Sequence, residues 1–130
     1  MFIFDTTAII ELFKGNEALK ELLQRLNDDF AATTVSYFEI FSKIHHKKLK
    51  KEKVYFKRFF SNIPLYGLGI KEAEEGSQIL GRLYQHGMPI NLADVMISGI
   101  AAANGAEGII TLDTDFNTIE KVVDIKIEFF

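Results

Sequence analysis

Four carboxylates, Asp5, Glu39, Asp94 and Asp113, are the side chains of this sequence most able to do chemistry, although they span more than a hundred positions. A shared setting links them. Asp5 follows the apolar run Met1-Phe2-Ile3-Phe4, and Asp113 closes Gly108-Ile109-Ile110-Thr111-Leu112. Runs this short and this apolar read as strands buried on both faces, as in a parallel sheet. Glu39 stands in the opening turn of a helix expected to start at Ser36, after a strand over 30–35. Asp94 stands in the first turn of a helix expected after Asn91. In an open parallel sheet, strand ends and the following helix starts share one rim, where ligand sites lie. All four acids can therefore face one crevice.

Carboxylates gathered in a crevice repel one another and hold protons unless a cation cancels their charge. Oxygen donors in a chain without cysteine favour a hard ion, Mg²⁺ or Mn²⁺. Such an ion, left with open positions, activates water and stabilises a phosphoryl transition state. Each acid also has a purely structural explanation. Ser36-x-x-Glu39 spells a capping box, and Asn91 stands in the same relation to Asp94. Acids also suit helix N-termini. Asp113 with Asp115 could form a turn and an N-cap. Their joint placement weighs against this, because Asp94 opens an almost wholly apolar helix and Asp5 and Asp113 end the two most buried strands.

The elements that must position these acids are legible from apolar spacing and stop signals. Thr6 or Thr7 is expected to cap a helix over 8–14, ended by Gly15, and Asn16 to cap one over 17–26. A third helix is expected to run from Ser36 through the lysines to Lys51, and a further one over 53–61. Pro64 restricts the segment 62–66 to an edge strand. A helix over 70–86 is expected to turn Ala73, Ile79, Leu80, Leu83 and Tyr84 inward, followed by the apolar helix over 92–104. Asp115-Phe116-Asn117 starts a short helix, and 125–130 makes a closing strand. This alternation predicts one α/β domain over 1–130, a three-layer α/β/α sandwich around a mostly parallel five-stranded sheet.

Composition narrows the function classes. Without cysteine there is no disulfide framework and no thiolate zinc site. No apolar run approaches the roughly 20 residues of a membrane span, so a soluble cytoplasmic protein with no membrane partner is expected. The net charge of −3 conceals an asymmetry: eight of the fifteen Lys and Arg fall between Lys43 and Arg58. Lys47, Lys48, Lys50 and Lys51 are candidate contacts for a polyanion, or else a solvated helix face. The neighbouring His45-His46 pair reads the same way. Phe38, Phe41, Phe56, Phe59 and Phe60 are numerous for two helices and could line a groove for a partner's amphipathic segment.

Four blocks in order, Phe2-Ile3-Phe4-Asp5-Thr6-Thr7, Thr34-Val35-Ser36-Tyr37-Phe38-Glu39, Ile90-Asn91-Leu92-Ala93-Asp94 and Thr111-Leu112-Asp113-Thr114-Asp115-Phe116, resemble those of PIN-domain ribonucleases. In size the chain is similar to VapC-type toxins of toxin–antitoxin pairs. The resemblance implies a metal-dependent endoribonuclease in which Asp5, Glu39, Asp94 and Asp113 hold one or two Mg²⁺ or Mn²⁺ ions. Cleavage would leave a 5′-phosphate and a 3′-hydroxyl. Thr7, Thr111 and Asp115 would support the site. An antitoxin and a second copy of the chain would be its protein partners. Ser98-Gly99, where the family often has Ala, keeps small residues and so permits close helix packing.

Other readings fit less well. A haloacid-dehalogenase-type phosphatase needs D-x-D-x-T, and Thr7 occupies the place of its second Asp. A receiver domain needs an Asp at the end of strand three, where Pro64-Leu65-Tyr66 offers none. A PIN-like domain without a toxin role, or a degenerate RNA- or protein-binding module, is the remaining alternative.

Overall fold

A computed structural model describes all residues from Met1 to Phe130. Five strands, β1 (Phe2–Phe4), β2 (Phe30–Thr33), β3 (Leu65–Tyr66), β4 (Gly108–Thr111) and β5 (Lys126–Phe129), form one sheet in the order β3-β2-β1-β4-β5. Every pairing is parallel; Ile3, for instance, faces Ala31 on one side and Ile109 on the other. The chain builds outward from β1 through β2 to β3, then crosses back to β4 and β5. The order therefore reverses between β1 and β4, and open α/β sheets bind ligands beyond the strand ends at such a switch point.

Strand alternation divides the core in two. Phe2, Phe4, Ala32 and Ile110 point to one face and pack against α1 (Thr6–Lys14), α2 (Glu17–Leu26), α3 (Thr34–Lys47) and α4 (Lys50–Ser61). Ile3, Ala31, Ile109 and Ile127 point to the other, against α5 (Ile70–Gln85), α6 (Leu92–Ala103) and α7 (Phe116–Glu120). The three layers follow from this period of two.

Several elements depart from expectation. The second strand stops at Thr33, whose side chain accepts the Ser36 N–H at 3.2 Å and caps α3. Ser36 is thus inside the helix, no Ser36–Glu39 capping box forms, and Glu39 sits in the second turn. The lysine stretch is not one helix. Lys48 takes a left-handed conformation (φ 54°) that ends α3, and α4 starts at Lys50. The inner face of α5 is Glu72, Gly76, Ile79 and Leu83, whereas Tyr84 is 66% exposed and Ala73 faces solvent. The small residues of α6 do permit a close crossing. A Cβ on Gly99 would stand 2.6 Å from the Gly76 backbone nitrogen of α5.

The aromatic groove is also corrected. Phe41, Phe56 and Phe60 are core, Phe59 is half-buried, and of the five only Phe38 is open to solvent, at 73%. The rings pack on one another, with Tyr37 stacked on Phe41 at 4.4 Å and Phe59 edge-on to Phe60 at 5.2 Å. Phe59 also meets Phe4 of β1, with 6.4 Å between ring centroids, so the cluster joins α4 to the sheet.

Candidate active site

Asp5 itself, and neither threonine, caps α1. Its Oδ1 accepts the Ala8 N–H at 2.8 Å. Both hydroxyls beside it are thereby released for other bonds. Thr7 donates to Asp5 Oδ1 at 2.7 Å and accepts the Leu112 N–H at 2.9 Å. Thr111, at the end of β4, donates to Asp5 Oδ2 at 2.5 Å and accepts the Asp113 N–H at 2.8 Å. The Asp5 carboxylate is thus clamped from α1 and β4 together, across the switch point. Only 1% of the residue is exposed. Burial pushes its carboxyl up to about 6, against the hydrogen bonds from Thr111, Ala8 and Thr7 that favour the charged form.

The chain of bonds continues outward. Asp113 Oδ1 accepts the Asp115 N–H at 2.9 Å, which is a turn. The Asp115 side chain does not cap α7; it accepts from Asn91 Nδ2 at 3.3 Å. Asn91 Oδ1 in turn accepts the Asp94 N–H at 3.4 Å and caps α6. The segment after β4 is thereby tied to the start of α6, and carboxylate oxygens of Asp94, Asp113 and Asp115 come within 4.8 Å of one another.

Asp94 is the exceptional member. The residue is 6% exposed, and its Oδ2 is buried without a hydrogen-bond partner. A capping-box acid would reach back to a backbone N–H, so that explanation fails here. Burial, and then the negative charges of Asp113, Asp5, Glu39 and Asp115, push its carboxyl up to about 8. A buried oxygen without a donor costs on the order of 1–3 kcal/mol, and four acids around it make the cost larger. A divalent cation removes both penalties, and the donor set, all carboxylate oxygen, suits Mg²⁺ or Mn²⁺.

The sequence-derived quartet is therefore brought to one end of the sheet, but its members do not form one close group. Asp94 and Asp113 form the close group together with Asp115, expected only to support the site. Asp5 and Glu39 lie outside that group. Glu39 projects from the second turn of α3, where Thr6 Oγ1 donates to its Oε1 at 2.6 Å, with Ser36 Oγ 2.9 Å from the same hydroxyl. Thr6, expected from sequence as a possible cap of α1, is bound to Glu39 instead. A second hydroxyl after the strand-ending acid was its signal, since one threonine cannot serve both Asp5 and Glu39.

The largest cavity of the molecule, about 480 Å³, lies elsewhere, between α4 and the starts of β2 and β3, and is lined by Asp28, Phe30, Arg58 and Pro64 among others. Of the acids, Asp5 and Asp94 are buried, whereas Asp113 is half-buried and Asp115 exposed, so the cluster opens to solvent on the Asp113–Asp115 side. An open rim admits a segment of a long polymer, which an enclosed pocket would exclude.

The comparisons agree with this architecture. No curated protein matches the sequence. Among solved structures, the chain superposes on VapBC2 of Rickettsia felis, solved bound to a DNA fragment from its promoter, with a TM-score of 0.85 at 17% identity over 99% of this chain and 98% of that one. DNA-bound VapBC of Salmonella typhimurium gives 0.76 at 20% identity, over 98% and 96%. VapC20 of Mycobacterium tuberculosis, a toxin that cleaves the sarcin–ricin loop, gives 0.70 at 13%, over 97% and 99%. At these identities the likeness is one of fold. The family model described as PIN domain matches residues 2–122, and the chain therefore belongs to the PIN-domain family.

Proposed function

We propose that this protein is a divalent-metal-dependent endoribonuclease acting as the toxin of a toxin–antitoxin pair. The carrying observation is the buried, unpartnered Oδ2 of Asp94 facing four other carboxylates. Such an arrangement is tolerable where a hard cation belongs, and the family and its toxin-like fold neighbours support the rest. Asp94, Asp113 and Asp115 would hold one or two Mg²⁺ or Mn²⁺ ions, with Asp5 and Glu39 at the margin. The bound ion supplies an activated water and charge neutralisation at the scissile phosphate.

The chain's own residues set the stage for this. Thr7 and Thr111 fix Asp5 in one rotamer. Thr6 fixes Glu39. Asn91 holds Asp115 against the start of α6. Together they hold the carboxylates closer than free, mutually repelling side chains would stay. RNA is the substrate in this reading, which places the protein in the cytoplasm, with an antitoxin and a second copy of the chain as protein partners.

The test is cleavage of total cellular RNA by purified protein in Mg²⁺ or Mn²⁺. Wild type is expected to cut and Asp94→Asn to be inert while folded. Cleavage that survives EDTA would refute the reading.

A further inference from the structure

The lysine-rich stretch contributes no side chain to the acid cluster, yet it has a definite shape. The break at Lys48 folds the tip of the α3–α4 hairpin around a depression of about 290 Å³, lined by Ile44, His45, Lys48, Leu49, Lys50 and Lys53. Three of these are lysines and none is an acid. The other surface lysines that meet a carboxylate are Lys14, Lys20 and Lys71, each in an ion pair. None of the eight cations between Lys43 and Arg58 forms one. The depression also sits at the start of α4, whose N-cap, Leu49, has no side-chain acceptor for the first free N–H groups. Three cations around one hollow at the start of a helix, with Glu52 the only acid in that helix's first turn, suit a phosphate-sized anion.

From these observations we infer that the hairpin tip is a second RNA-backbone contact, gripping phosphates away from the scissile bond through Lys48, Lys50 and Lys53. The inference rests on the RNA substrate proposed above. Lys48 lies nine residues beyond Glu39, about 13 Å further along the hairpin at 1.5 Å per residue. Because α3 leads away from the rim, bridging the two places takes a polynucleotide of several residues, and a mononucleotide cannot do it. The depression selects Lys48, Lys50 and Lys53. Lys47 and Lys51, expected from sequence as contacts, do not line it. The only ring in the lining is the His45 imidazole, and the three lysines are point charges, so the tip holds backbone rather than reading a run of bases. Cations here also offset the cost of bringing a polyanion to an acidic rim.

The test uses a fluorescent 20-nucleotide oligouridylate in the Asp94→Asn background, so that binding is read without turnover. Anisotropy is followed across a salt series. Lys48→Gln/Lys50→Gln/Lys53→Gln keeps the aliphatic stems and removes the charge. It is expected to flatten the slope of log K against log salt by about 2, at roughly 0.7 per single-strand phosphate contact, with an unchanged melting temperature. Lys14→Gln/Lys20→Gln/Lys71→Gln removes the same net charge elsewhere and is expected to leave the slope unchanged. Equal flattening by both triples would overturn the inference, as would no flattening by either. So would lysine-dependent binding of a polyglutamate peptide with none of the RNA, which would make the tip a dock for an acidic protein segment. Absence of RNA cleavage by wild type would count against the proposed function and leave the binding result standing.

Discussion

The acid rim and the lysine hairpin are both clusters of like charge, and they are built in opposite ways. The lysines are neighbours in sequence, project into water and need no fold to bring them together. Exposed like charges are screened within about a Debye length and cost little. The acids come from four separate segments, and the fold gathers them where water is scarce. Asp94 is buried beside four other carboxylates with an oxygen unpartnered. The lysine cluster can exist for solubility alone. The acid cluster is costly to keep, and its cost falls only when something positive binds. Charge conflict that the fold itself creates is the stronger pointer to function.

Removing the conflict should have the largest effect. Asp94→Asn is expected to lower RNA cleavage by roughly a thousandfold or more, as loss of a metal ligand removes several kcal/mol of transition-state stabilisation. The same variant should melt higher than wild type in EDTA at pH 8, by roughly 5 °C or more. Loss of activity joined to a gain in stability separates a functional acid from a structural one.

Stability of the metal-free protein should also depend on pH. Asp5 at about 6 and Asp94 at about 8 both stand above the ordinary 3.8. Between the ordinary and the raised values the folded chain binds more protons than the unfolded chain. Stability from these groups is therefore full below about pH 4, falls as pH rises, and levels off above about 8. Urea midpoints in EDTA from pH 5 to 8.5 should decline, and the decline should be shallower in Asp94→Asn. A flat profile in wild type would remove the conflict on which the comparison rests.

Smaller changes probe the hydroxyls. Thr111→Val leaves a buried carboxylate oxygen without its donor and should destabilise the fold by about 1–3 kcal/mol. Thr6→Val frees Glu39 and leaves Asp5 untouched. A loss of activity of about tenfold, recovered in Thr6→Ser, is expected from one charge-assisted hydrogen bond. Loss without recovery would mean that Thr6 matters for packing alone.

The sequence revealed the fold and the rim more readily than the details within the rim. Buried strands followed by acids, and a helix apolar all round after Asp94, carry their own signature, because burial on both faces leaves no polar positions to confuse the period. Local chemistry was harder to place. Thr34 and Val35 are β-branched and read as strand, yet they are the first turn of α3, because Thr33 supplies the cap. Asp5 caps α1 itself, which the two following threonines disguise. Nothing marks the break at Lys48, since a lysine in the left-handed region looks like any other lysine. The five phenylalanines could not be sorted by composition into core and groove; only the antiparallel packing of α3 on α4 does so. Asp115 was legible as an acid near the site. Its place beside Asp94 depends on Asn91, whose two side-chain bonds join segments 24 residues apart.

The most direct measurement is the melting temperature of wild type and Asp94→Asn at pH 8, titrated with Mn²⁺ from EDTA-treated protein. Binding to the folded state alone raises stability by RT ln(1 + [L]/Kd). Wild type is predicted to gain melting temperature with each increment of Mn²⁺ and Asp94→Asn to gain little or none. A wild-type melting temperature that ignores the metal, or an equal rise in both proteins, would contradict the claim that these carboxylates are gathered to hold a cation.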